Sequence, residues 1–362
     1  MTGKKLLLTP GPTPIPEEIQ EEMAKPIMHH RTPQYREIFA EANKGLKNIF
    51  KTSADILTFT SSGTGAMEAS VVNTLSKGDK AIVVRGGKFG ERFAELCEAY
   101  GVGVIAIDMK WGTGPDPKVI EKTLSENKDV KAVFVNLCET STATVYDIES
   151  IGRIVKDTPA ILVVDVISGL GSDEFKMDEW HVDITVGGSQ KGLMIPPGLA
   201  FCAISKKAWD LVSKSTLPKY YLDFKKYKKS VEKDDVPFTP AITLEIGLRK
   251  AIAIIEKEGV DNSIKRHTDD AEYLRSELKK MGLEIFSKSP SNAVTAAMVP
   301  QGIDGGALIK ALKQKGITFA GGQAELKGKI FRIASMGAIT RKDLDRGLSA
   351  LKDVLKELEV KK

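Results

Sequence analysis

The run Gly187-Gly188-Ser189-Gln190-Lys191-Gly192 follows directly on the apolar residues 183–186. A lysine that leaves a strand into a glycine-rich turn stands at the carboxyl edge of a sheet, where open α/β folds bind ligands. Its amine can form an imine with an aldehyde, provided its surroundings lower its pKa. A solvent-facing loop lysine is the rival reading, and for any single lysine the commoner one. Asp165 closes the run Ile161-Leu162-Val163-Val164-Asp165, well upstream of Lys191. A carboxylate at the end of a buried strand is costly unless it is paired. A protonated pyridine nitrogen would pair it and make that ring an electron sink. A hydrogen bond within the following Ser168-Gly169 turn would serve as well.

Three further stretches carry the same double reading. Ser61-Ser62-Gly63-Thr64-Gly65 lies between an apolar run and a helical stretch, so its N–H groups and hydroxyls could cradle a phosphate. An ordinary capped helix start is the alternative. A dinucleotide fingerprint fails there, because the third glycine is missing and the next strand ends Val83-Val84-Arg85 without an acid. Phe89, between Gly87 and Gly90, could stack on a flat ring or merely pack under the next helix. Arg332, inside Lys329-Ile330-Phe331-Arg332-Ile333-Ala334, needs an anionic partner, either a bound carboxylate or an internal acid.

The elements that must position these residues are legible from the pattern. Short apolar runs without alternation recur at 57–60, 81–84, 104–107, 132–135, 161–166, 184–186 and 199–204, as expected of strands buried on both faces. Helical stretches at 89–100, 117–126 and 147–156 separate several of them. The expectation is an α/β fold with a large, mostly parallel seven-stranded sheet. Beyond residue 205 a lysine-rich polar segment leads to a long helix at 243–257. A smaller α/β unit then follows, with helices at 268–281, 305–314 and 341–359 and strands at 284–286, 293–298 and 329–334. The expected division is an N-terminal arm (1–20), a large domain (21–260) and a small C-terminal domain (261–362).

Composition narrows the function classes. The net charge of +5 is spread along the chain and does not make a nucleic-acid binder. The lysines at 225, 226, 228 and 229 read as a solvated loop or helix face. Cys97, Cys138 and Cys202 are too scattered for a disulfide framework or metal cluster, and the four histidines show no ligand spacing. No apolar stretch approaches the length of a membrane span. With no signal segment at the start, a cytoplasmic protein is expected.

Phosphate cup, aromatic, Asp, Gly-Ser-Gln-Lys and late Arg, in that order, resemble the class V aminotransferases. The likeness is to the alanine–glyoxylate and serine–pyruvate branch. It runs from Leu8-Thr9-Pro10-Gly11-Pro12-Thr13, through Met28-His29-His30-Arg31-Thr32, to Arg332-Ile333 and Met336-Gly337. The resemblance implies the pyridoxal-phosphate-dependent transferase fold of type I and a homodimer with sites at the subunit interface. It implies pyridoxal 5′-phosphate on Lys191, with Asp165 on the ring nitrogen, Phe89 on the ring face and Ile167 beneath. Ser62, Gly63, Thr64 and Gln190 match phosphate-site positions, and Thr140 matches a hydroxyl near the ring oxygen. Thr239 matches a phosphate contact donated by the second subunit, and Arg332 the arginine that grips the substrate carboxylate. Lys191, once freed, would move the α-proton as general base. The implied reaction passes an amino group from alanine, serine or aspartate to glyoxylate, pyruvate or 2-oxoglutarate.

Two positions depart from the family pattern. Ala143 stands where relatives often have glycine, and Ala334-Ser335 where they often read Gly-His, so fine substrate preference is open. A desulfurase or other lyase on the same fold is the nearest alternative, but it needs a nucleophilic cysteine toward the carboxyl end and none follows Cys202. A kynurenine-type hydrolase and a phosphonate-specific transaminase are more distant alternatives. Some relatives carry hydrogenase-subunit names, yet this chain lacks the cysteines for a nickel or iron site.

Overall fold

The structure, a computed structural model, describes residues 5–360. Residues 1–4 of the expected arm and 361–362 of the expected small domain lie outside the described residues. All seven expected strands of the large sheet form: β1 (Asp55–Ser61), β2 (Lys80–Arg85), β3 (Gly103–Asp108), β4 (Val130–Asn136), β5 (Ile161–Asp165), β6 (Ile184–Gly188) and β7 (Gly198–Ile204). Their order across the sheet is β1-β7-β6-β5-β4-β2-β3. β7 is antiparallel to both its neighbours, and the other pairings are parallel.

The absence of alternation has its cause in two covered faces. Ile82, Val84, Val133, Val135, Leu162 and Val164 point into one core, beneath the helices Pro33–Phe50, Pro117–Glu126, Ile148–Val155 and Ile242–Glu258. Ala81, Val83, Ala132, Phe134, Ile161 and Val163 point into the other, beneath Gly63–Thr74, Lys88–Ala99, Lys206–Lys214 and Phe224–Val231. Each fully buried valine or isoleucine contributes about 1.5–3 kcal/mol relative to exposure. The lysine-rich segment is the short helix Phe224–Val231, which buries Phe224 and Tyr227 and turns its lysines outward.

The C-terminal part has its own core around an antiparallel three-stranded sheet. Here β8 (Val294–Met298) and β9 (Ala320–Gly321) flank β10 (Ile330–Ala334). Residues 6–8 belong to this layer. Leu6-Leu7 pairs with Ile317-Thr318, and the N–H of Ala334 donates to Leu8 O at 2.9 Å. Two boundaries differ from expectation. The helix expected at 268–281 starts at Val260, because Ser263 and His267 are buried by tertiary packing that overrides their weak helix propensity. The strand expected at 284–286 is a single bridge, Ile285 opposite Ala297. Beyond it, Lys288 donates to Gly112 O and Ser289 O accepts from Val145, which draws the chain toward the large sheet. Among the described residues no helix is long and apolar enough to cross a membrane.

Candidate active site

The chain leaves β2 toward β3 on one side, and leaves β4 toward β5 on the other. Their carboxyl ends therefore diverge and open a crevice at the point where the strand order reverses. Gly86 to Phe89 form one lip, and Asn136 to Thr140 the other. The helices Pro117–Glu126, Ile148–Val155, Lys206–Lys214 and Phe224–Val231 are each capped by the side chain of their own N-cap residue. The two helices that start at the site, Gly63–Thr74 and Lys88–Ala99, have no such cap. Ser62, the N-cap residue of the first, is exposed and keeps its hydroxyl off its own helix.

Lys191 follows β6 and is 8% exposed. Burial lowers its pKa to about 8 and the charge of Arg332 acts in the same direction, against the pull of Cys138 and Asp165. Its ammonium donates to Pro10 O. Gly11 has φ of +117°, where side-chain-bearing residues are strained, and a Cβ there would lie 2.5 Å from Lys191 Nζ, so glycine suits this close approach of the N-terminal segment. Thr13 completes that strap, its N–H donating to Gln190 O at 3.1 Å and its hydroxyl to Lys191 O at 2.9 Å.

Asp165 ends β5, 4% exposed. Its Oδ2 accepts from Asn136 Nδ2 at 2.9 Å and its Oδ1 from the N–H of Ile167 at 2.7 Å. Burial outweighs these bonds and pushes its pKa up to about 6. Ile167 lies against Gly63, where a Cβ would meet its Cδ1 at 2.3 Å. Gly188 adjoins Ile167, Gln190 and Gly63, with a Cβ there 3.3 Å from Gln190 Oε1. That oxygen is buried without a hydrogen-bond partner among the described residues.

Arg332, on β10, brings the C-terminal part to the crevice. Its Nη1 donates to Thr140 O at 2.9 Å, and its Nε and Nη2 donate to Gly321 O at 3.1 and 2.8 Å. These three hydrogen bonds go to carbonyl oxygens, which leaves its charge available to an anion. Burial lowers its pKa, and Glu139 is the first charge to oppose that. The Thr140 hydroxyl meets Ser168 Oγ at 2.5 Å. Phe89 is half-buried, with the Arg92 guanidinium 4.9 Å from its ring centroid. Arg92 Nη1 also donates to Thr64 Oγ1 at 3.2 Å.

The sequence profile of the family Aminotransferase class-V matches residues 7–342. The chain belongs to the class V aminotransferases. It is 39% identical over 363 residues to a protein named soluble hydrogenase, small subunit, of Synechococcus sp. (strain PCC 6716), covering 99% of this chain and 94% of the relative. It is 34% identical to the L-aspartate–glyoxylate aminotransferase of Paracoccus denitrificans, covering 99% and 93%. A solved aspartate aminotransferase of subgroup IV from Thermus thermophilus superposes with a TM-score of 0.91 at 32% identity, covering 98% and 99%. The fold is thus of the pyridoxal-phosphate-dependent type, and the expected fold class and enzyme class hold.

Within this class V chain, Lys191, Asp165, Ile167, Gly63 and Gln190 share the floor of the crevice. Phe89, Thr64, Thr140 and Arg332 are tied into its walls. Thr239 is exposed. Its neighbour Phe238 packs on Tyr220, Tyr221 and Tyr227, and Ala241 donates to Thr60 Oγ1 at 3.0 Å at the end of β1. Reasoning from local sequence leaves out Pro10, Thr13, Arg92, Asn136 and Glu139. The glycine at position 11 and the buried acid in Cys138-Glu139-Thr140 were the signals available for two of them. Cys97, Cys138 and Cys202 are buried and free.

Proposed function

We propose that the chain is a pyridoxal-phosphate-dependent transaminase that passes the amino group of a small amino acid to a 2-oxo acid. The donors are alanine, serine or aspartate, and the acceptors glyoxylate, pyruvate or 2-oxoglutarate. The observation that carries this reading is Lys191, a buried amine with its pKa drawn down to about 8, beside Asp165 and Arg332. The names of the relatives, with aspartate and glyoxylate among their substrates, support the substrate class.

The residues present fit the cofactor. Gln190 Oε1 is a buried acceptor without a partner among the described residues, which a water bridging to the phosphate would satisfy while the Nε2 of the same amide donates to a phosphate oxygen. The Ser62 hydroxyl and the start of the helix Gly63–Thr74 offer donors and a positive dipole end to a phosphate. Lys191 would hold the aldehyde carbon, Asp165 the ring nitrogen, and Phe89 and Ile167 the two ring faces. Thr140 would stand by the ring oxygen. Ser62, Gly63, Thr64 and Gln190, with Thr239 of a second copy, would hold the phosphate. When bound, the cofactor supplies an electron sink for the α-carbon of the amino acid.

The chain's own groups supply the rest. Arg332 takes the substrate α-carboxylate through the N–H directions that its carbonyl partners leave open. The Asp165 carboxylate, ionised above about pH 6, would keep a proton on the ring nitrogen it would hold. The Lys191 amine, neutral above about pH 8 and partly neutral below, takes the α-proton on Nζ and returns it. The N-terminal strap over Lys191 and the buried floor limit water at that nitrogen.

Purified protein should take up pyridoxal phosphate stoichiometrically with the visible absorbance of a lysine-bound pyridoxal. It should then convert one donor of the panel to its oxo acid while glyoxylate or pyruvate is aminated. Lys191→Ala should lose that absorbance and at least about a thousandfold in turnover. Full turnover in Lys191→Ala, or no cofactor uptake by the parent, would end the proposal. Light scattering should return twice the 39.4 kDa chain mass if the homodimer forms.

A further inference from the structure

Glu139 is wholly buried, 0% exposed, and has no part in the chemistry assigned above. Its carboxylate lies against the first turn of the helix Lys88–Ala99. Oε2 accepts from the N–H groups of Phe89 at 3.1 Å and Gly90 at 2.9 Å. Oε1 accepts from the N–H of Ser141 at 3.1 Å and from its hydroxyl at 2.5 Å. The Ser141 hydroxyl oxygen accepts in turn from the N–H of Lys88 at 3.1 Å. The first three N–H groups of the helix are therefore satisfied from the opposite lip of the crevice, in place of a cap from its own N-cap residue, Gly87.

This arrangement requires glycine at position 87. A Cβ there would lie 2.6 Å from Glu139 Cδ and 2.3 Å from Ser141 Oγ. Burying a carboxylate is costly, and charge-assisted bonds at the positive end of a helix offset that cost. The adjacent residue, Thr140, receives Arg332 on its carbonyl and Ser168 on its hydroxyl. One buried acid thus joins the helix that carries Phe89 to the loop that holds Arg332.

We propose that Glu139 is a positioning residue of the transamination site. It pins the start of the helix Lys88–Ala99 to the exit of β4, so that Phe89 and Arg332 keep a fixed separation around the cofactor and substrate. The proposal rests on the cofactor reading above. Glu139→Gln preserves size but leaves one oxygen where two now serve donors on both sides, so the Phe89–Gly90 turn or the Ser141 turn must let go.

The test uses Phe89→Trp as reporter, with its indole emission read as the difference from the matching chain that keeps Phe89, since Trp111, Trp180 and Trp209 also emit, as pyridoxal phosphate is added and normalised to cofactor bound. Bound cofactor should quench the introduced indole strongly. Adding Glu139→Gln should reduce the quench per bound cofactor by at least half. In the otherwise natural chain, Glu139→Gln should lower kcat by about 10- to 100-fold, the scale of an ångström-sized misplacement. The cofactor should still be held by Lys191. Loss of folded protein alone would lower the amount bound and leave the quench per bound cofactor unchanged. Unchanged quenching with kcat within twofold of the parent overturns the proposal. Should Glu139→Gln fail to fold, Ser141→Ala keeps the carboxylate while removing the Lys88 acceptor and one donor. It should shift quench and kcat in the same direction by a smaller factor, and no shift in either overturns the proposal. If the parent chain takes up no pyridoxal phosphate, the cofactor reading itself falls, and this inference with it.

Discussion

Asp165 and Glu245 lie about equally deep, 4% and 1% exposed, yet the chain treats the two acids differently. Asp165 sits at the carboxyl edge of the large sheet, with Asn136 and the N–H of Ile167 donating to it and Lys191 nearby. Glu245 sits in the first turn of the helix Ile242–Glu258, and its Oε2 has no hydrogen-bond partner among the described residues. Burial pushes the first acid up to about 6 and the second to about 8. At neutral pH the balance for Asp165 favours the carboxylate and that for Glu245 the neutral acid. Depth alone does not decide whether a buried acid is charged; donors that favour its charged form do.

The largest effect that sharpens this contrast should come from Asp165→Asn. It should cost about 100- to 1000-fold in turnover, the scale of a lost electrostatic partner at a reacting centre. Glu245→Gln should leave turnover within about twofold, since its Oε2 has no hydrogen-bond partner among the described residues to tie it to the crevice. Steady-state rates of the two variants, each normalised to bound cofactor, decide the point. Equal losses would erase the distinction.

Glu245 should instead speak through stability. Its native pKa of about 8 exceeds the ordinary 4.5, so between those values the folded chain holds a proton that the unfolded chain has lost. Stability contributed by this group is complete below about pH 4.5 and is lost as pH rises toward 8, at up to about 1.4 kcal/mol per pH unit. Denaturant unfolding of the parent minus that of Glu245→Gln should show this slope, because the variant cannot titrate there. A flat difference would mean that a donor, for instance from a second subunit, already satisfies the acid.

A third effect concerns the amine beside Asp165. If Lys191 holds pyridoxal phosphate as proposed, uptake needs its neutral amine, so the rate should rise about tenfold per pH unit and level off near pH 8. Stopped-flow absorbance from pH 6 to 9.5 would follow it, and a plateau delayed beyond pH 10 would place Lys191 in water-like surroundings. The smallest effect is expected at Ala143, buried with φ of +57°. Ala143→Gly relieves about 1 kcal/mol of left-handed strain and loses about 0.8 kcal/mol of methyl burial, so thermal midpoints should nearly coincide.

Much of this organisation was legible without coordinates. The seven strands are continuous apolar runs because both faces are covered, and Asp165 and Lys191 stand out because each breaks such a run or follows its end. The helix Pro33–Phe50 was less visible, since its polar exposed side interrupts the apolar pattern. Val260 was missed as a helix start because packing of Ser263 and His267, rather than propensity, extends that helix.

What the sequence determined by itself was therefore everything carried by neighbours along the chain: strand identity, the turns after them, and the order of reactive residues. Only the tertiary structure decided which distant groups meet. Pro10 reaches Lys191 across 181 positions, and Arg332 reaches Thr140 across 192. Glu139 looks like an ordinary acid beside a short strand until the helix start at Lys88 is set against it. Such contacts leave no local periodicity to read, because they arise from how covered layers pack and where a parallel sheet reverses its order.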